Sequence, residues 1–399
     1  MLGKVQFKRA YYQCECEATE ETDEDSHDLC THGKAPADEI WGIDQRRTTP
    51  GVQKTISYLC ARMTFEEAAE TFSDLLPLRM SAQQAQILMI PVGEALAEKE
   101  DQDVKYRFEQ AKQKHTASEE LQELCLTETI DRLYIELDGV MARMRRGSVD
   151  MQDDEEKRKG DVYREVKVGA VFQAERGRDR STLVPGAWID TPKPGSMRYV
   201  ARRTAQGGFG PLLYTLASTA GLANAKQVVV LGDGAPWIWK LAEEHFPGSV
   251  QIVDLYHAKE HVWAVAHAVF GQSSQEACTW AKAACDLLTH GQIEELVAQI
   301  EELPAISPPP GQSKSIPEQA VGYFTTNAER MRYPTFRAQG MHLGSGIAEA
   351  ACKTVVSTRA KRSGMRWTPQ GLDALLPLRT AALSHTYHPF WQGHSRLIA

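Results

Sequence analysis

Three observations predict a mixed α/β protein. Short β-rich segments follow one another between residues 131 and 204, helix and strand then alternate as far as residue 257, and the regions on either side carry helical periodicity. With 399 residues the chain can form two or three domains around at least one large core.

The elements follow in order. Residues 1–50 are acidic and loop-rich. Residues 51–125 read as helical: Thr64 stands as N-cap before "FEEAAETFSDLL", with Glu67 three residues on and Phe65, Ala68, Ala69, Phe72 and Leu76 on one face. After "PLRM", Ser81 opens a second helix in which Pro91 is placed to cause a bend. This pair is either a DNA-binding helix-turn-helix, with Gln83, Gln84 and Gln86 facing base edges, or an ordinary helical hairpin. "DRLYIELDGV" (131–140), "DVYREVKVGAVF" (161–172) and "MRYVARRT" (197–204) read as strands, the charge run "DDEEKRKG" forming a solvated hairpin end. "GPLLYTLASTAGL" is then a helix, "QVVVLGD" a strand, "PWIWKLAEEHF" a helix with Pro at its first position, and "SVQIVDLYH" a strand. Residues 130–255 thus make the first part of a sheet core. Residues 256–340 make a helical insertion broken by "SPPPGQSKSIP", and 341–399 a closing helical region.

Composition removes some functions. The net charge of −8 gives no overall basic signature. Charge is nevertheless uneven: residues 1–30 hold eight acids against three bases, while 353–379 hold Lys353, Arg359, Lys361, Arg362, Arg366 and Arg379 against Asp373 alone. Screening confines each charge to about 8–10 Å, so a local basic face can still hold phosphates. No apolar run has the length of a signal sequence or a membrane span, and eight scattered Cys suit a reducing compartment; a cytoplasmic protein is expected. Cys14, Cys16, Cys30 and His32 are potential zinc ligands, but C-x-C and C-x-H pairs are too tight to close around the ion, and unligated thiols are expected. Ser-His-Asp order, a P-loop and G-x-G-x-x-G are all missing from the sequence. Trp237, Trp239, Trp263 and Trp367 could stack on bases, although Trp at helical spacing usually belongs to a core.

Three carboxylates stand out by position. Asp138 follows "LYIEL" and Asp233 follows "VVVLG", each at a strand end and next to glycine. Taken singly, Asp-Gly after a strand is ordinary turn chemistry, and Asp233 could cap the helix that starts at Pro236. Glu349 lies in the small, apolar turn "IAEAAC"; an ion pair with Lys353 four residues on is the plain reading, but a solvated face is seldom so rich in alanine. Together two Asp and one Glu supply hard oxygen donors suited to Mg2+ or Mn2+. Two such ions about 4 Å apart can activate an attacking oxygen and stabilise a leaving one in phosphodiester chemistry. Lys353, Arg359, Lys361, Arg362 and Arg366 would hold the DNA backbone beside them.

The stretches "ELDG", "REVKVGAVF", "LGDGAPWIW", "QIVDLYHAKEHVW", "GMHLGSGIAEAACK" and "RAKRSGMRW" resemble the ribonuclease-H-like core of DDE transposases. Among these the chain resembles the ISKra-type insertion-sequence branch, more distantly the Mutator-like group, over roughly residues 130–392. The resemblance implies a ribonuclease-H-like mixed sheet with an all-α insertion, preceded by a small helical domain, and Asp138, Asp233 and Glu349 as the metal-binding triad. It adds Asp254 and His257 of "VDLYHA" as auxiliary residues. Read from the residues alone, Asp254 is equally a helix cap or the second ligand in place of Asp233, and His257 equally a packed histidine. The implied function is a bacterial transposase acting on element ends and target double-stranded DNA, at the nucleoid, with two divalent ions and as a dimer or higher oligomer. The alternatives are an inactive DNA-binding remnant and a structure-selective nuclease of the same fold. The family's N-terminal zinc ribbon is matched here only by the degenerate "AYYQCEC".

Overall fold

The computed structural model describes residues 48–114, 129–145, 162–178, 187–344 and 346–394. The candidate zinc residues Cys14, Cys16, Cys30 and His32 and the charge run 153–160 lie outside the described residues. The described chain divides into two units, residues 48–99 with 368–394, and residues 100–367. Residues 341–399, read from sequence as one region, are therefore split: the basic segment and the final helices belong to different units.

The first unit is helical. It contains α1 (Pro50–Arg62), α2 (Phe65–Leu75), the first half of α3 (Ala82–Lys114), and, from the far end of the chain, α13 (Pro369–Leu383) and α14 (Tyr387–His394). Thr64 and Glu67 exchange side-chain and backbone hydrogen bonds at 3.1 and 2.8 Å, closing the capping box that the sequence signals. Ser81 and Gln84 do the same at the start of α3. Gln84 is thus engaged in capping, while Gln83 is exposed and Gln86 half-buried. Pro91 is accommodated inside α3. At Gly93 a Cβ would collide with the backbone of Ala374, so glycine lets α3 and α13 cross almost backbone to backbone. Arg379, buried, donates to the carbonyl of Ala61 at 2.5 Å, and Tyr387 to that of Lys54 at 2.6 Å.

The second unit is built on a six-stranded mixed sheet. β1 (Ile130–Met144) and β2 (Val162–Arg178) are long and antiparallel, with Asp138 opposite Val168. The middle of β2 pairs with β4 (Arg198–Arg202), and its end with β3 (Trp188–Pro192), both antiparallel. On the other side β1 pairs in parallel with β5 (Ala225–Gly232), which pairs in parallel with β6 (Val250–Val253). β3 is the strand that sequence reading missed: five residues, with Asp at the centre and Pro at the end, show no alternation long enough to recognise.

Strand alternation gives the sheet two faces. A Cβ at Gly169, opposite Leu137, would strike Leu213 of α4 (Gln206–Thr219) and touch Phe209, and one at Gly232 would strike Ile238 of α5 (Pro236–His245). Leu133, Ile135 and Leu137 therefore face α4 and α5. Tyr134, Glu136 and Asp138 face the opposite way. There Tyr134 stacks on Phe172, its cross-strand partner, with ring centroids 5.1 Å apart.

After β6 the chain enters the helical insertion. It consists of α6 (Leu255–Phe270), α7 (Gln275–Thr289), α8 (Ile293–Glu301), α9 (Ile316–Asn327) and α10 (Tyr333–Ala338), with buried residues including Val262, Ala281, Leu288, Leu296 and Phe324. Small Ala281 and Ala284 on α7 keep these helices close. The chain then returns to the sheet through residues 339–344 and forms α11 (Gly346–Ala351), a π-helical turn (Cys352–Ser357) and α12 (Thr358–Ala360). Among the described residues, no helix is long and apolar enough to cross a membrane.

Candidate active site at the carboxyl ends of the parallel strands

Register sets the site. Glu136 is level with Leu231, so Asp138 is level with Asp233; Gly232 is level with Val253, so Asp233 is level with Asp254. Three aspartates thus stand side by side, about 5 Å from strand to strand. Asp233 and Asp254 directly follow the ends of β5 and β6, whereas Asp138, expected at a strand end, lies inside β1, which stays paired with β2 as far as Met144. The carboxyl edge of such strands is where α/β sheets present ligand-binding groups.

Each aspartate is held differently. Asp138, half-buried, accepts the N–H of Gly139 at 2.6 Å and the thiol of Cys352. Asp233, also half-buried, accepts the Ala235 N–H at 2.8 Å through Oδ1, while its Oδ2 accepts no hydrogen bond among the described residues. The helix cap before Pro236 is Ala235, so Asp233 secures the turn rather than capping α5 itself. Gly234, at φ +99°, completes that turn in a conformation that side-chain-bearing residues resist. The Tyr323 hydroxyl of α9 donates to the Asp233 carbonyl at 2.9 Å. Asp254 is fully buried and caps α6, with Oδ1 accepting the N–H groups of Tyr256 (2.5 Å) and His257 (3.1 Å). Asp233 and Asp254 thus each use Oδ1 to accept backbone N–H groups of the turn that follows, Asp233 half-buried and Asp254 fully buried.

Glu349 arrives from far along the chain. The returning segment is secured at several points: Arg132 donates to the Gln339 carbonyl at 2.9 Å, Asp190 N–H to Gly340 O at 2.7 Å, His342 N–H to the Tyr134 hydroxyl at 3.0 Å, and Leu255 N–H to Leu343 O at 3.0 Å. Asp190 also accepts Arg132 at 2.7 Å and the Tyr134 hydroxyl at 2.8 Å, so a buried network joins β1, β3 and this segment. α11 then lies against β1 and β2, with Ala348, Ala351 and Cys352 buried and Glu349 exposed. Its alanines are the side chains small enough for that approach.

The acids sense one another. Burial raises the Asp138 carboxyl above its ordinary range and Asp233 adds to this, against the bonds from Cys352 and Gly139 and the charge of His257. Burial raises Glu349 too, reinforced by Asp254, Asp138 and Glu260. Glu136, fully buried two residues before Asp138 on the same face, is pushed well above the usual range by desolvation, with Asp254 and Glu349 adding to it. The sequence reading passed over Glu136. Its signal was a lone acid inside the apolar run "LYIEL", in phase with Asp138. His257 is half-buried, its ring 5.3 Å from that of His261 and Nδ1 3.5 Å from Glu260.

The donor set suits a hard divalent cation: oxygen-rich, mutually repelling, and flanked by a histidine. Among the described residues, however, no group of three or more His, Cys, Asp or Glu is close enough together to hold a metal ion as it stands.

The basic segment needs one correction. Lys353, Lys361, Arg362 and Arg366 are exposed, but Arg359 is fully buried, its guanidinium 5.2 Å from the Trp367 ring centre. A side chain enclosed in this way cannot reach a phosphate. The reason is periodic: Arg359 follows Val355 and Val356 around the inward side of the helix. Trp239 and Trp367 are buried as well, and the Trp367 indole donates to the Ala360 carbonyl at 2.9 Å, so neither is open to an extruded base.

No protein-family model matches the chain, and no curated protein matches it. Among solved structures it is similar to the Drosophila P element transposase strand transfer complex, with 11% identity over 67% of each chain and a TM-score of 0.21, too low to establish a common fold.

Proposed function

We propose that this protein is a transposase of the DDE type, of a bacterial insertion sequence, with Asp138, Asp233 and Glu349 as its metal-binding carboxylates. The observation that supports this reading is that Asp138 and Asp233 are level on adjacent parallel strands, while Glu349, more than 100 residues further on, feels the charge of Asp138. The strand order, with four strands in antiparallel pairings followed by two parallel to the first, supports a ribonuclease-H-like core.

In this reading Asp138 and Asp233 hold two Mg2+ or Mn2+ ions with Glu349. When bound, these ions supply Lewis-acid activation of the attacking oxygen and stabilise the leaving one. The protein's own residues bind and orient. Lys353, Lys361, Arg362 and Arg366 hold double-stranded DNA by its phosphates, and Tyr323 and Gly234 fix the turn that presents Asp233. A water oxygen bonds to the phosphorus at the element end as the bond to the 3′-oxygen breaks, and that oxygen leaves as a hydroxyl. The hydroxyl oxygen then bonds to a target phosphorus as the bond from that phosphorus to the target 3′-oxygen breaks. This oxygen takes the proton and leaves as a new 3′-hydroxyl, so one phosphodiester replaces another and no ATP is needed. Two ends must be held together, so a dimer or larger assembly on DNA is expected.

A second reading, a DNA-binding remnant without activity, draws on the spacing of the acids, which among the described residues leaves no group of three tight enough to hold an ion. Cleavage of DNA carrying the element's termini, with and without Mg2+, separates the two. Ion-dependent nicking, abolished by Asp233→Asn with DNA binding retained, is expected of the enzyme; binding without nicking identifies the remnant. Nicking of branched DNA whatever its end sequence identifies a structure-selective nuclease.

A further inference from the structure

Glu136 and Cys352 have no part in the reading above, yet both touch the elements that carry its acids. Glu136 Oε2 accepts the Ala348 N–H at 2.9 Å, with the Ile347 N–H also directed to the carboxyl, and Cys352 donates its thiol to Asp138. The contacts form matched pairs, Glu136 with Ala348 and Asp138 with Cys352. Two residues along a strand advance about 6.6–6.8 Å. Four residues along a helix advance about 6 Å. The two spacings agree to within about 1 Å, so both contacts can close together. Glu349 lies within the bracketed turn, immediately after Ala348 and three residues before Cys352. The helix widens to π geometry at Cys352, a distortion often found at functional sites.

We propose that Glu136 and Cys352 are positioning residues, a two-point latch that locks α11 against β1 and so determines where Glu349 stands relative to Asp138. This rests on the reading of Asp138 and Glu349 as paired ligands. Asp138 then has two roles, one contact to the helix and, in the reading above, a share of the metal site. Glu136 has one: it accepts the first amides of α11, which otherwise lack partners inside the helix. The latch explains why an acid is kept in the fully buried run of β1, where any residue of the same size without a charge would be cheaper to desolvate.

The test uses the full chain and two independent readouts, amide hydrogen exchange at residues 347–348 and Mn2+ affinity by direct titration. Glu136→Met removes the acceptor, and Glu136→Gln keeps a carbonyl oxygen in its place. Cys352→Ala removes the donor, and Cys352→Ser keeps one. The expected result is exchange at Ile347 and Ala348 faster by about tenfold or more in Glu136→Met. Mn2+ affinity should fall by about tenfold to a hundredfold in Glu136→Met and Cys352→Ala. Glu136→Gln and Cys352→Ser should remain near wild type in both. If Glu136→Met fails to fold, the Cys352 pair decides alone: equal affinity in Cys352→Ala, Cys352→Ser and wild type overturns the latch. Unchanged exchange in a folded Glu136→Met also overturns it. If the wild-type chain binds no Mn2+ while exchange responds as expected, the paired-ligand reading fails and the latch stands as a contact.

Discussion

Tyr323, on α9 of the insertion, donates its hydroxyl to the backbone carbonyl of Asp233 at 2.9 Å, across 90 residues of chain. Its ring also fills the space in which a side chain on Gly234 would have to sit. The insertion thus buttresses the turn that presents one of the three acids. Tyr323→Phe keeps the ring and loses the hydrogen bond, and should cost about 1 kcal/mol in urea unfolding. In a cleavage assay it should lower kcat more than it raises KM. Gly234→Ala, with a strained φ and a clash, should cost more than Tyr323→Phe.

Acid clustering makes a prediction about pH. Asp138 and Glu349 have raised pKa values in the folded chain, so between the ordinary carboxylate range and those raised values the native state binds more protons than the unfolded one. Stability should therefore fall as pH rises through that window. Denaturant unfolding from pH 4 to 8 should show the decline, and Asp138→Asn should flatten it. Added Mg2+ should restore stability at the upper end of the range in the wild type but not in Asp138→Asn.

The two classes of cation near the site should separate cleanly. Arg359→Ala empties a buried position against Trp367 and should destabilise by about 2–4 kcal/mol. Alanine at exposed Lys361, Arg362 or Arg366 should shift stability by less than about 0.5 kcal/mol. Each should instead weaken DNA binding and reduce the slope of log affinity against log salt by about one. Thermal melts and salt-dependent binding isotherms check both.

Asp190 accepts from both Arg132 and Tyr134 in a buried setting. Asp190→Ala leaves both donors without their acceptor and should cost about 3 kcal/mol in unfolding experiments. Because the same network pins residues 339–342, hydrogen exchange there should accelerate in the variant.

Local signals carried well from sequence to structure. The capping box at Thr64, Pro236 at the first position of α5, and the apolar runs that became β1 and β5 all depend on neighbours in the chain. Asp138 and Asp233 were visible because an Asp-Gly after an apolar run is written locally, although β1 continues past Asp138 to Met144. Glu136 was hidden because a single acid in an apolar run says nothing of the helix amides that receive it, which lie 212 residues on. Arg359 was misjudged because a run of cations looks solvated until the helix phase is known. The return of Arg379 to Ala61 leaves no trace in either segment, since a backbone carbonyl can serve as acceptor for any sequence.

The helical unit assembled from residues 48–99 and 368–394 has a consequence for biosynthesis. Its first helices leave the ribosome early, yet Tyr387 and Arg379, which complete its packing, emerge only after the whole sheet and insertion. The sheet unit is continuous in sequence and can finish folding first, whereas α1 must wait for α13, the late-made helix that packs against it. Nascent chains stalled before residue 368 should therefore recruit chaperones through their earliest-made segment.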